Sequence, residues 1–106
     1  MTKLTDLDAT FIRLDNPRGD FTEVANMGEA HGVMFDCPKC GHHSVVCWSR
    51  SRGVSDDVSP GPGRWMMVGT GLSDLTLNAD PPSSARSVAL TSGCMWHGHV
   101  TNGDAA

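Results

Sequence analysis

Cysteine and histidine are the residues in this chain whose types and spacing carry the clearest chemistry. There are four of the first and five of the second in 106 residues. Two cysteines stand in Cys37-Pro38-Lys39-Cys40-Gly41. A tetrahedral zinc ion takes thiolates at about 2.3 Å, and a two-residue spacer lets one tight turn supply two of them. Pro38 sets the φ of that turn, and Gly41 is free to take the positive φ that follows the second cysteine. Backbone N–H groups in such a turn can point at the sulfurs and stabilise their charge. The same spacing serves redox dithiols, but those open a helix in a βαβ unit, and here strand formers flank the motif.

The other half of a four-ligand site must come from a distant segment. Cys94-Met95-Trp96-His97 repeats the two-residue spacer, follows Gly93 and precedes a strand-like run. Cys37, Cys40, Cys94 and His97 are therefore the expected ligands, with His42 or His43 as the alternatives to His97. Cys47 falls inside an apolar run on the same face as Val45 and reads as a small buried residue. Four protein ligands close a zinc site, and a closed site contributes about 10–16 kcal/mol of apparent binding free energy to folding. With one ligand fewer, a position opens to water and a catalytic zinc follows, with His99 or Asp104 as a nearby base. No Gly-x-Ser-x-Gly elbow accompanies Ser83, Ser84, Ser87 or Ser92, which read as turn hydroxyls.

These residues need elements to hold them. Apolar and β-branched runs bounded by turn residues predict strands at 10–14, 32–36, 44–49, 64–69, 72–77, 87–90 and 95–101. Residues 37–43 then form the tip of a hairpin, and 52–63 and 78–85 are Gly-, Ser- and Pro-rich loops, the first of them mobile. Asn102-Gly103 is the strongest tight-turn signal, but only Asp104, Ala105 and Ala106 follow it, too few for a return strand. The expected fold is mostly β: a small antiparallel sheet or open barrel with a zinc-ribbon-like knuckle. One domain spans 1–106, with an acidic N-terminal segment at 1–31 and a zinc-stapled β core at 32–104. Aromatics make up 6% of the chain and tyrosine is absent, so the core is thin and gains from a metal staple.

The formal charge is −4. Lys3, Arg13 and Arg18 face seven acidic residues before Cys37, whereas Lys39, Arg50, Arg52 and Arg64 outnumber Asp56 and Asp57 in the middle. Phosphate binding needs clustered cations, so nucleic acid is a weak alternative partner, through Arg50, Arg52 and Arg64. The N-terminus lacks an apolar signal region and no run approaches about 18 apolar residues, which predicts a cytoplasmic protein without a membrane anchor. Thiols stay reduced there, favouring metal over disulfide.

The order of motifs is informative as a whole. Cys37-Pro38-Lys39-Cys40-Gly41, Gly63-Arg64-Trp65, Asp74-Leu75-Thr76-Leu77, Ser87-Val88, Gly93-Cys94-Met95-Trp96-His97-Gly98 and Thr101-Asn102-Gly103-Asp104 follow one another. This pattern, over about 32–104, resembles a family of small phage and prophage proteins of unknown function, with bacterial relatives beside ubiquitin-like conjugation genes. The resemblance implies a compact zinc-bearing β domain with ligand roles on Cys37, Cys40, Cys94 and His97. Some members are suspected peptidases. The family's Thr-Leu-x-Pro-Ser element is broken here, because Asn78 and a loop separate Leu77 from Ser87-Val88, and His99 replaces an aromatic. The expected function is a non-enzymatic interaction module that occupies a host protein's surface in the host cytoplasm, with a defence system as one possible target. A zinc-dependent hydrolase or peptidase is the alternative.

Overall fold

Side-chain alternation along three neighbouring strands sets the architecture. In the computed structural model, which describes residues 2–60, 63–82, 84–90 and 94–106, strands β2 (Thr10–Leu14), β3 (Phe21–Val24), β4 (Gly32–Asp36) and β5 (Ser44–Trp48) form an antiparallel sheet in the order β3-β2-β4-β5. Gly93, Ser83 and Ser92, singled out above, lie outside the described residues. Successive residues on a strand point to opposite faces. Phe11, Val33, Phe35, Val45 and Cys47 accordingly enter one core, while Ile12 and Trp48, with Met34 and Val46 beside them, enter a second on the other face. Gly32 is the crossing point of β4 under Trp48. A Cβ there would lie 2.5 Å from the Cys47 carbonyl oxygen and 2.9 Å from the indole, so only glycine fits.

The main core is completed by smaller sheets. Strands β6 (Trp65–Val68) and β7 (Thr76–Ala79) form a hairpin that buries Trp65, Met67 and Leu77. Strand β8 (Val88–Ala89) pairs with β9 (His97–Gly98), and β10 (Val100–Thr101) pairs with β11 (Asp104–Ala105), which also pairs with β1 (Thr2–Lys3). No α-helix occurs among the described residues; the only helical pieces there are 3₁₀ turns at Leu4–Asp6 and Met27–Glu29. The expected mostly β class, with small open antiparallel sheets, is therefore the observed one.

Three local features differ from the sequence reading. The Asn102-Gly103 turn does have a return strand, only two residues long. It holds because both turn residues take positive φ (49° and 81°) and the turn is docked: Gly103 N–H donates to the Leu75 carbonyl, and its own carbonyl accepts from Leu4 N–H. Residues 2–31 do not precede the core but supply Leu4, Leu7, Phe11, Met27 and Ala30 to it. Strand β7 starts later than residue 72, because the Asp74 carboxylate accepts from Thr70 N–H, Gly71 N–H and the Thr70 hydroxyl and winds that segment into a turn.

The loop at 52–63 forms no strand, yet its described part is anchored. Val54 and Val58 are buried against Trp48, whose indole N–H donates to the Ser59 carbonyl. Arg64, only 1% exposed, donates from its two terminal nitrogens to the carbonyls of Ser55, Val58, Pro60 and Gly63. Arg52 caps the carbonyls of Met27 and Ala30, and Arg50 pairs with Asp56 while donating to the carbonyls of Asp80 and Pro81. The basic middle of the chain is thus committed to internal bonds.

Candidate metal centre

The β4–β5 hairpin ends in a register pair, Asp36 with Ser44, and residues 37–43 form its tip. Cys37 N–H donates to the His43 carbonyl and Gly41 N–H to the Cys37 carbonyl, both at 2.8 Å, which closes the turn. Gly41 takes φ +71°, and this left-handed step aims the His42 N–H at Cys40 Sγ, 3.4 Å away. The sequence expectation for Gly41 is met for its stated reason.

The second segment repeats that backbone device without a glycine. Met95 follows Cys94 with φ +55°, and the backbone N–H of Trp96 acts on the Cys94 sulfur to oppose the rise of its thiol. Trp96 turns into the core, edge-on to Phe35 at 6.1 Å between centroids. Lys39 Nζ reaches across to the Cys94 carbonyl at 3.1 Å, joining the two turns.

Cys37, Cys40 and Cys94 thereby place their sulfurs within 4.8 Å of one another, and Cys37 Sγ lies 3.2 Å from Cys94 Sγ. Sulfurs around a tetrahedral zinc stand about 3.8 Å apart, so small movements would seat an ion among them. The donor set can hold a metal ion. Cys37 is buried, and the other two are half-buried.

His97 is not part of this group. It is exposed on β9 opposite Ala89, while its neighbours Trp96 and Gly98 are buried. The physical reason lies in the turn: the left-handed step at Met95 sends the chain into the core at Trp96, and His97, next along the chain, falls on the opposite, exposed face. The histidine that does approach is half-buried His43, with Nδ1 at 3.0 Å from Cys40 Sγ, although it falls outside the mutually close set of three. His42 is exposed and contributes its backbone N–H, and His99 is exposed. Cys47 is buried in the main core, and desolvation pushes its thiol well up from the usual range.

Cys40 and Cys94 are shifted in opposite directions. The N–H of His42 leads in lowering the Cys40 thiol to about 6, helped by the His43 ring and the other two sulfurs against the opposing effect of burial. The Cys94 thiol is raised, chiefly through its bond with Cys37 and secondarily by desolvation. A thiol lowered in this way is a suitable first ligand for a cation, which binds thiolate and displaces protons from the sulfurs it takes. A separate groove of about 420 Å³, lined by Phe11, Val24, Asn26, Thr70 and Leu72 among others, contains none of the cysteines.

Comparison with protein-family models, curated proteins and solved structures finds no match for this chain. No helix among the described residues is long and apolar enough to cross a membrane.

Proposed function

We propose that this chain is a zinc-stapled interaction module. In this reading Cys37, Cys40 and Cys94 hold one structural Zn²⁺, and His43 completes the tetrahedron in place of His97. The observation that carries it is the convergence of three sulfurs from segments 57 residues apart. Thiolates and imidazole suit zinc, and hard cations prefer oxygen ligands. Exposed Phe21, Met66, Val68 and Met95 supply apolar contact area for a protein partner, a host protein if the phage-family resemblance extends to function.

Metal analysis and cobalt substitution of the purified chain test the staple. One zinc per chain and a thiolate-rich tetrahedral cobalt spectrum are expected, and His43→Ala is expected to weaken zinc binding more than His97→Ala. Absence of bound metal after reconstitution would overturn it. Crosslinking of the zinc-loaded protein in host lysate tests the partner, and recovery of nothing above a metal-stripped control counts against that part. A zinc hydrolase is the second reading, favoured by the gathering of only three sulfurs. It requires exchangeable water on the cobalt derivative and no effect of His43→Ala on ligand number.

A further inference from the structure

Three thiols held this close, one of them bridging distant parts of the chain, offer a second way to keep the fold tied. We propose that the centre is a redox-convertible staple: a peroxide joins Cys37 to Cys94, the metal leaves, and the covalent bond takes over its tie. This inference rests on the zinc reading above.

The pairing follows from geometry. Cys37 Sγ and Cys94 Sγ are in contact at 3.2 Å, whereas the Cys40 sulfur is engaged by the His42 N–H and the His43 ring. Cys94 is half-buried and Cys37 is 1% exposed, so the oxidant meets Cys94 first. The Cys94 sulfur attacks one oxygen of hydrogen peroxide, the O–O bond breaks, and the departing hydroxide leaves as water after taking a proton. Cys37 Sγ then displaces the hydroxyl from the Cys94 sulfenic acid, forming the S–S bond, and a second proton carries that hydroxyl away as water. The sulfurs lose two electrons and the peroxide oxygens gain them. The disulfide sulfurs are no longer thiolate ligands, so the dication left on Cys40 and His43 is released. The bridge crosses 57 residues and pins the same two turns that the metal pins, which a bridge within Cys37-Pro38-Lys39-Cys40 would not do.

The test titrates the zinc-loaded full chain with hydrogen peroxide, reading zinc release with a chromophoric chelator and mapping the bridge by alkylation and peptide mass. One zinc is expected to leave per peroxide consumed, with a Cys37–Cys94 crosslinked peptide and alkylated Cys40 and Cys47. The oxidised chain should keep its near-ultraviolet tryptophan signal in chelator, whereas the reduced chain loses it. A dominant Cys37–Cys40 or Cys40–Cys94 bridge overturns the proposal, as does zinc retained on a chain that carries the Cys37–Cys94 bridge. A chain that holds no zinc before peroxide is added fails the metal reading separately. In that event a Cys37–Cys94 bridge in the same peptide map still counts for the disulfide, and its absence counts against it.

Discussion

Met95 and Gly41 occupy equivalent backbone positions, each directly after a cysteine with φ between +50° and +75° (55° and 71°). A non-glycine residue there bears about 1–2 kcal/mol of steric cost, more if it is β-branched. Met95→Gly should therefore leave the zinc-loaded protein as stable or up to about 1 kcal/mol more stable in urea melts, after allowing for the looser unfolded chain. Met95→Val should lower stability by about 1–2 kcal/mol and weaken zinc binding with it. Serine at Cys37, Cys40 or Cys94 should remove bound zinc and cost more than about 3 kcal/mol, whereas Cys47→Ala should keep full zinc content and cost about 1 kcal/mol through a small cavity. At this scale the sequence revealed the three cysteines and the buried character of Cys47. It gave no sign that His97 stands exposed outside the group of three sulfurs, because linear spacing cannot tell which way the chain leaves Cys94. That direction is carried by a left-handed residue, and methionine does not announce one.

Among the elements, the loop at 52–63 and the turn between β6 and β7 each gather several bonds on one charged side chain. Arg64 satisfies four carbonyls from a buried position, so Arg64→Ala should cost about 3 kcal/mol or more, measured by urea unfolding, and should release the indole of Trp48 toward water. Asp74 is held below its usual carboxylate range, first by the Thr70 N–H and then by the Gly71 N–H. A depressed folded value stabilises the folded state fully above the unfolded value near 3.8, and that contribution fades as pH falls through the lower folded value. The melting temperature of Asp74→Asn should lie below that of the parent at neutral pH, and the gap should close as pH falls from the unfolded value of 3.8 through the lower folded one. Both chains carry the same cysteines, so acid loss of metal cancels from the comparison. The strands at β2, β4 and β5 were legible because apolar and polar residues alternate or run together between clear turn signals. Strand β3 was not, since Phe21-Thr22-Glu23-Val24 lies exposed at a sheet edge among acidic turn residues, and β11 was hidden by its two-residue length.

At the scale of the whole molecule, two apolar clusters share one four-stranded sheet, and the cysteine centre belongs to only one of them. Chelation of the zinc-loaded protein is expected to abolish the near-ultraviolet signal of the main cluster and to lower the melting temperature, as folding and metal binding are coupled. The mostly β class followed from short strands and frequent turns. The double-sided sheet did not, because it depends on a Gly/Pro-rich loop carrying Val54 and Val58 back over Trp48. The three indoles consequently sit in distinct surroundings: Trp96 two residues from a sulfur, Trp65 bonded through its N–H to the Arg86 carbonyl, and Trp48 beneath the loop on the far side. Each is thus a resident optical probe for a different event. Fluorescence from variants retaining one tryptophan at a time would separate ion exchange at one end of the molecule from opening of the cover at the other, without any external dye.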